Sequence, residues 1–115
     1  MIVYGIKNCN TVKAAIDWLT KNKVIFEFHD YKKAGITAAK LSVWCQQVGW
    51  ESLVNKRGTT WRKLNEIDQR KVTNEKAAIA LMIEKSSVIK RPLIEQEGKV
   101  LLLGFDEADY KNTFI

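Results

Sequence analysis

The sequence predicts an α/β protein with a four-stranded mixed sheet, in which a helical insertion separates a βαβ half from a ββα half. Between residues 2 and 29, the apolar positions change from strand spacing to helical spacing and back. Residues 93–103 hold two β-rich runs around a glycine-containing loop, which indicates an antiparallel hairpin. The region between these halves carries helical patterns and no clear strand.

The first half is predicted as a strand at residues 2–4, a turn, and a helix that begins near Asn10. We expect Asn8 or Asn10 to cap this helix. Residues 24–29 are β-rich and should form a second strand, parallel to the first, which makes residues 2–29 a βαβ motif with a right-handed crossover. The apolar face of the helix follows the i, i+3, i+4, i+7 pattern at Val12, Ala15, Ile16 and Leu19.

The helical insertion is predicted at about residues 36–88, after a polar turn at residues 30–35. Thr37 should cap its first helix and Gly49 should end it. Cys45 lies on the apolar stripe of this helix, together with Leu41, Trp44 and Val48, so a buried structural thiol is expected there.

The apolar pattern is irregular over residues 50–73 and becomes regular again from residue 74. Residues 50–73 are predicted only as short helical turns interrupted at residues 58–60, and residues 74–85 as a third helix. Strands at residues 93–95 and 100–103 and a last helix at 106–115 complete the chain. With 115 residues, no repeat and no linker, a single domain at 1–115 is expected.

Composition narrows the possible classes of protein. No apolar run approaches the ~20 residues of a membrane helix, and residues 1–8 do not resemble a signal peptide, so a cytoplasmic location is expected. Two cysteines and one histidine do not make a zinc pattern, and no metal is expected.

The net charge of +6 permits nucleic-acid binding, but no recognition helix is evident. The most basic stretch, residues 55–63, is either a solvated loop or a site for phosphate, carboxylate or glutathione.

Cys9 lies where the first strand gives way to a helix. Free amides and the positive dipole end of a helix N-terminus stabilise an anion there and can lower a thiol pKa. Lys7 and Lys13 flank Cys9 and act in the same direction. The pattern therefore favours a reactive thiol over an inert cysteine in a turn.

Three better-defined classes of cysteine enzyme need a second residue that this sequence does not supply at the required position. A C-x-x-C pair needs a cysteine where Val12 stands, and a cysteine phosphatase needs an arginine where Ala15 stands. A Cys-His hydrolase would have to use His29, which is expected to be a satisfied or solvent-edge histidine. Pro92, the one proline, could simply start a strand or could be the cis proline that lies against the active cysteine in thioredoxin folds.

Three segments, YGIKNCNTVKAAIDWL, LVNKRGTTWRKL and VIKRPLIEQEGKVLLLGF, resemble the ArsC/Spx family of arsenate-reductase-like proteins, and within it the YffB branch. The resemblance implies a thioredoxin-like fold with a helical insertion and makes Cys9 the reactive thiol. It also implies that Arg91, before Pro92, contacts a bound oxyanion, and that the insertion brings Arg57 toward the cysteine.

The chain also departs from the family patterns. Arsenate reductases of this type have a histidine in a Tyr-His-Asn-Pro-x-Cys setting, where this chain has Gly5. Their third oxyanion arginine would fall near Gly104, and Val12 removes the C-x-x-C switch of Spx-type regulators. Arsenate reduction and a local disulfide switch are therefore less expected.

The sequence thus predicts a monothiol oxidoreductase that uses Cys9 as nucleophile, glutathione as co-substrate and no tightly bound cofactor. Its substrate would be an oxidised small molecule or protein. The alternative is an Spx-like regulator that docks on RNA polymerase without catalysis. No membrane partner is expected. The residues expected to bind substrate or anion are Lys7, Asn8, Thr11, Lys13, Arg57, Arg91 and Pro92.

Overall fold

The computed structural model describes residues 1–115, which divide into two compact units. The first unit comprises Met1–Ala34 and Arg91–Ile115, and the second comprises Gly35–Lys90. The first unit contains strands β1 (Ile2–Gly5), β2 (Glu27–Asp30), β3 (Leu93–Gln96) and β4 (Lys99–Leu103), with helices α1 (Asn10–Lys21), α2 (Tyr31–Ala34) and α8 (Glu107–Phe114). The second unit contains α3 (Ala38–Val48), α4 (Trp50–Leu53), α5 (Thr59–Arg62), α6 (Glu66–Arg70), α7 (Glu75–Glu84) and a 3-10 turn (Ser86–Val88).

The four strands form one mixed sheet in the order β2-β1-β3-β4. Strand β1 pairs parallel with β2, and the other two pairs are antiparallel, so the predicted topology is confirmed. Glu97 and Gly98 both have positive φ angles, of 52° and 81°, which suits the two-residue loop that joins β3 to β4.

One apolar core holds α1 and α8 to this sheet. Its fully buried members come from β1, α1, β3 and α8, namely Val3, Ala15, Leu19, Ile94 and Tyr110. The Tyr110 hydroxyl donates a 3.0 Å hydrogen bond to the Gly104 carbonyl, so this buried phenol is satisfied. Trp18 packs against Tyr110 edge-on, with ring centroids 5.6 Å apart.

In the second unit, α3 packs against α4 and α7. Thr37 caps α3 by accepting a 3.1 Å hydrogen bond from the Lys40 amide, and Gly49, with φ of 83°, ends it, as predicted. The large buried side chains of this unit are Leu41, Trp44, Leu53, Met82, Val88 and Ile89. Cys45 is buried, as its position on the apolar stripe predicts.

The structure corrects several local expectations. Residues 30–35 are not only a turn, because the Asp30 carboxylate accepts a 2.9 Å hydrogen bond from the Lys32 amide and so starts α2. Strand β2 begins at Glu27 instead of residue 24, since the Val24 amide still donates to the Leu19 carbonyl at the end of α1. Ile25 is 91% exposed and does not belong to the core.

Two helices also differ from expectation. Helix α6 was not predicted, although Asn65 caps it by accepting a 2.8 Å hydrogen bond from the Asp68 amide. Ile83 of α7 is 46% exposed, so the apolar face of that helix is narrower than the sequence suggests. No helix in the chain is long and apolar enough to span a bilayer.

Candidate active site around Cys9

Cys9 is the N-cap residue of α1, and neither Asn8 nor Asn10 occupies that position. Its backbone is extended, with φ of −129° and ψ of 122°, and its carbonyl accepts the 2.9 Å hydrogen bond from the Lys13 amide that closes the first helical turn. An N-cap side chain points toward the free amides of the first turn. The half-buried thiol therefore occupies the place that a serine or aspartate oxygen fills in many helices.

The surroundings of Cys9 favour its thiolate form. Burial by itself raises the pKa of the thiol, but the Val12 amide, the Arg91 guanidinium with its charge, and the Thr11 amide all stabilise the anion. These interactions outweigh burial, so the pKa of Cys9 is lowered from its ordinary value. A larger fraction of this thiol is therefore ionised, and able to act as a nucleophile, near neutral pH.

Strand pairing explains how Arg91 reaches a residue far away in sequence. Tyr4, near the end of β1, pairs with Leu93 at the start of antiparallel β3. The turn that follows β1 and leads to Cys9 therefore lies beside the Arg91-Pro92 segment that precedes β3, at the same end of the sheet. The Arg91-Pro92 peptide bond is cis and Pro92 is buried, so of the two interpretations of this proline the structure favours the cis form.

Gly5 allows α1 to lie close to the sheet beside the thiol. A Cβ atom at this position would stand 2.9 Å from Cγ2 of Val12, closer than side-chain atoms normally approach. Val12 is fully buried and β-branched, so it has little freedom to move. A larger residue at position 5, such as the histidine of the arsenate-reductase pattern, would push on the residue whose amide stabilises Cys9.

A buried polar group that the sequence analysis did not single out lies in the same unit. Glu95 on β3 is only 4% exposed, and its carboxylate accepts a 3.2 Å hydrogen bond from the hydroxyl of Tyr4. The Tyr4 ring stacks with Tyr31 at 6.1 Å and lies 4.8 Å from His29 between ring centroids. The sequence could have indicated this site, because Glu95 is a charged residue within the apolar run of a predicted strand, and a buried charge needs a hydrogen-bonding partner.

Tyr31 differs from Tyr4 in its hydrogen bonding. Its ring is buried, and its hydroxyl has no protein hydrogen-bond partner. Burial, with the nearby Tyr4, raises the pKa of Tyr31 well above its usual range, while the positive charge of Arg91 opposes this shift. The phenol therefore stays neutral.

The structure brings most of the predicted site residues together. Cys9, Thr11 and Arg91 form the thiolate environment, and Pro92 adjoins Arg91. The side chains of Lys7 and Lys13 line a groove of about 530 Å³. Asn8 is exposed in the turn before Cys9.

Two predicted features lie in the second unit. Arg57 is exposed, with its amide donating a 3.1 Å hydrogen bond to the Asn55 side chain, and its expected approach to the cysteine stays a prediction. Burial, followed by the charge of Glu75, raises the pKa of Cys45 to about 11, which keeps that thiol neutral.

No group of three or more His, Cys, Asp or Glu side chains is placed to hold a metal ion.

The mixed sheet, the cysteine at the start of α1 and the cis proline before β3 define a protein of thioredoxin-like fold. The model of the ArsC family matches residues 4–113, and the chain belongs to this family. Among its relatives is an uncharacterized protein of Haemophilus influenzae, 43% identical over 112 residues, which span 97% of this chain and 96% of the relative.

Two solved structures extend the comparison. The YFFB protein is 42% identical, with a TM-score of 0.91, over 99% of this chain and 98% of its own. An arsenate reductase (ArsC) related protein from Brucella melitensis is also 42% identical, with a TM-score of 0.79, over 98% of this chain and 92% of its own. An ArsC family related protein from Bacteroides fragilis, at 23% identity and a TM-score of 0.81, shares the fold.

Proposed function

We propose that this ArsC-family protein is a glutathione-dependent monothiol oxidoreductase with Cys9 as its nucleophile. The observation that carries the proposal is the set of groups around the sulfur, two helix amides and one guanidinium, all of which favour the thiolate. The residue three positions after Cys9 is Val12, so a neighbouring cysteine cannot resolve an adduct by a C-x-x-C exchange. A thiol from outside the chain would have to do so.

The reaction would proceed in two exchanges. The Cys9 thiolate attacks the glutathionyl sulfur of a mixed disulfide, the substrate S–S bond breaks, and the substrate thiolate leaves with the electron pair and takes up a proton. The thiolate of a second glutathione then attacks the glutathionyl sulfur on Cys9. Glutathione disulfide leaves and the Cys9 thiolate returns. Overall the mixed disulfide and one free glutathione become the substrate thiol and glutathione disulfide, with the free glutathione as the reductant.

The charges around the thiol are compatible with glutathione. Arg91 adjoins the sulfur, and Lys7 and Lys13 lie on either side of Cys9 along the chain. Glutathione carries two carboxylates, which pair well with guanidinium and ammonium groups. The predicted approach of Arg57 would add a further cation.

Arsenate reduction is the less favoured activity. Gly5 leaves no room for a histidine beside Val12. Gly104, near the position where the third oxyanion arginine would fall, has a φ of 86°, which disfavours any side chain. Its amide and carbonyl are also engaged, with the Pro92 carbonyl at 2.7 Å and the Tyr110 hydroxyl at 3.0 Å.

A coupled assay tests the proposal. Reduction of a glutathionylated peptide would be followed as NADPH consumption with glutathione reductase present. We expect activity in the wild type and in Cys45→Ala, and none in Cys9→Ser. Alkylation of the Cys45→Ala protein by iodoacetamide across pH should give a midpoint below the ordinary thiol pKa of 9.0. A midpoint at or above that value, or activity that survives Cys9→Ser, would refute the proposal.

A further inference from the structure

A groove on the first unit lies between α1 and β2 and has a volume of about 530 Å³. It is lined by residues from the turn before Cys9, from one face of α1, from β2 and from α2, namely Lys7, Lys13, Ile16, Asp17, Phe28, Asp30 and Lys33. Neither the sheet topology nor the thiolate chemistry of Cys9 requires this concavity. Its lining therefore calls for an explanation of its own.

The groove combines an apolar surface with cations. Phe28 on β2 is 37% exposed and Ile16 of α1 is half-buried beside it, so the two side chains give the groove an apolar surface that water can reach. Three lysines and two aspartates are among the residues that line the same space, so the net charge of the lining residues is positive. The carboxylate of Asp30 also accepts a hydrogen bond from the Lys32 amide.

Cys9 does not itself line the groove, but residues of the groove flank it in the chain. Lys7 lies two residues before Cys9, and the amide of Lys13 donates to the Cys9 carbonyl at 2.9 Å. The ring of Phe28 comes within 3.5 Å of where a Cβ would stand on Gly5. A group bonded to a sulfur that reacts with Cys9 could thus extend along α1 over the Phe28 ring.

We propose that this groove is the subsite for the leaving half of a disulfide substrate, and that it selects an apolar group, aromatic or branched aliphatic, that carries a carboxylate. The proposal rests on the proposed function, in which Cys9 is the nucleophile. The apolar part lies against Phe28 and Ile16, and the carboxylate pairs with the lysines at the rim. Such a subsite discriminates between disulfides by their leaving groups in the first exchange, before the free glutathione takes part.

Dithiobis(nitrobenzoate) is the direct probe, because each half is an aromatic thiol with a carboxylate. The Cys9 thiolate attacks one sulfur, the S–S bond breaks, and the coloured nitrothiobenzoate leaves with the electron pair, so its release measures the rate. Neutral dithiodipyridine serves as the uncharged aromatic disulfide, and hydroxyethyl disulfide as the small non-aromatic one. All rates are taken in the Cys45→Ala background, so that Cys9 is the one thiol present.

We expect Lys33→Gln to lower the ratio of the dithiobis(nitrobenzoate) rate to the dithiodipyridine rate by about threefold, the size of one surface charge contact. Raising the salt concentration should abolish this difference. Lys32→Gln is the matched control, because it removes the same charge from the same turn at a residue outside the groove lining. Phe28→Ala should lower the rates of both aromatic disulfides by about fivefold relative to hydroxyethyl disulfide, as expected when an aromatic contact is lost.

The outcomes separate the two proposals. If Cys9 reacts rapidly with every disulfide and the rate ratios are unchanged in Lys33→Gln and Phe28→Ala, the groove proposal is wrong and the proposed function stands. If Lys32→Gln changes the ratio as much as Lys33→Gln, general charge explains the effect and the groove proposal is also wrong. If Cys9 titrates as an ordinary thiol, the proposed function fails. Should Phe28→Ala not fold, as judged by circular dichroism, Ile16→Ala gives the same test of the apolar surface.

Discussion

Two buried tyrosines of the first unit, Tyr4 and Tyr31, stack on each other but differ in how their hydroxyls are satisfied. The Tyr4 hydroxyl donates to the buried Glu95 carboxylate at 3.2 Å, whereas the Tyr31 hydroxyl has no protein partner. A buried hydroxyl without a partner loses its interaction with water and gains nothing in return. The same substitution to phenylalanine should therefore have opposite effects at the two positions.

We predict that Tyr31→Phe raises the free energy of unfolding by about 1 kcal/mol, because it removes an unsatisfied polar group. Tyr4→Phe should lower it by about 1–3 kcal/mol, because the buried Glu95 carboxylate loses the hydrogen bond from this hydroxyl. Urea denaturation followed by fluorescence measures both changes. Tyr110→Phe, which loses a single bond to a carbonyl, is a useful intermediate case at about 1 kcal/mol. A loss of stability in Tyr31→Phe would contradict this account.

At the level of the element, α1 is the one helix of eight or more residues that has no side-chain cap. Helices α3, α6, α7 and α8 are capped by oxygen atoms of Thr37, Asn65, Asn74 and Asp106, which accept first-turn amides. In α1 the cap position holds Cys9, which makes no side-chain capping hydrogen bond of the kind that these oxygens make, although the Val12 and Thr11 amides favour its thiolate. The nucleophile thus occupies the helix position that best stabilises an anion, and the protein is less stable than it would be with an oxygen-bearing cap residue there.

Cys9→Asp should therefore stabilise the protein by about 1 kcal/mol while abolishing thiol chemistry, because aspartate is a good N-cap and its charge suits the helix dipole. Thermal or urea unfolding at neutral pH is the measurement, with Cys9→Ala as the substitution that adds no cap. Thr37→Ala provides the calibration, with an expected loss of about 1 kcal/mol from removing a cap oxygen. If Cys9→Asp were no more stable than Cys9→Ala, the capping role of this position would be refuted.

At the scale of the whole molecule, the two cysteines make stability depend on pH in opposite directions. The folded pKa of Cys9 lies below its ordinary value of 9.0, so its contribution is present in full above pH 9.0 and is lost as pH falls through the folded pKa. The folded pKa of Cys45 is raised from 9.0 to about 11. Its contribution is present in full below pH 9.0 and is lost as pH rises through about 11.

We predict that the wild type loses about 1–2 kcal/mol of stability relative to Cys45→Ala between pH 9.0 and about 11. The difference between the wild type and Cys9→Ala should instead shift in favour of the wild type as pH rises toward 9.0. Denaturant unfolding of the three proteins over this range tests both signs, since the titration of tyrosines cancels in each comparison. Equal pH profiles for the three proteins would contradict the burial of Cys45 and the environment of Cys9 alike.

Local patterns carried much of the fold prediction. The apolar periodicity of α1 and α3, the cap at Thr37 and the hairpin after Pro92 depend on residues within a few positions of one another. Boundaries were less accurate where a single side chain decides them, as when Asp30 starts a helical turn and Asn65 starts α6. Such short polar side chains compete for backbone amides in loops and helices alike, so sequence spacing alone did not show which would form a cap.

The sequence by itself determined the order of the four strands and of the longer helices, and the position of Cys9 at a helix N-terminus, because these follow from periodicity within short windows. Only the tertiary structure decided which groups surround the thiol. The pairing of β1 with β3 brings Arg91 to Cys9 and Tyr4 to Glu95, which lie 91 residues apart. The groove beside Cys9 likewise needs α1, β2 and α2 in place. Strand register and helix packing fix these contacts, and neither is encoded in any one local stretch of the chain.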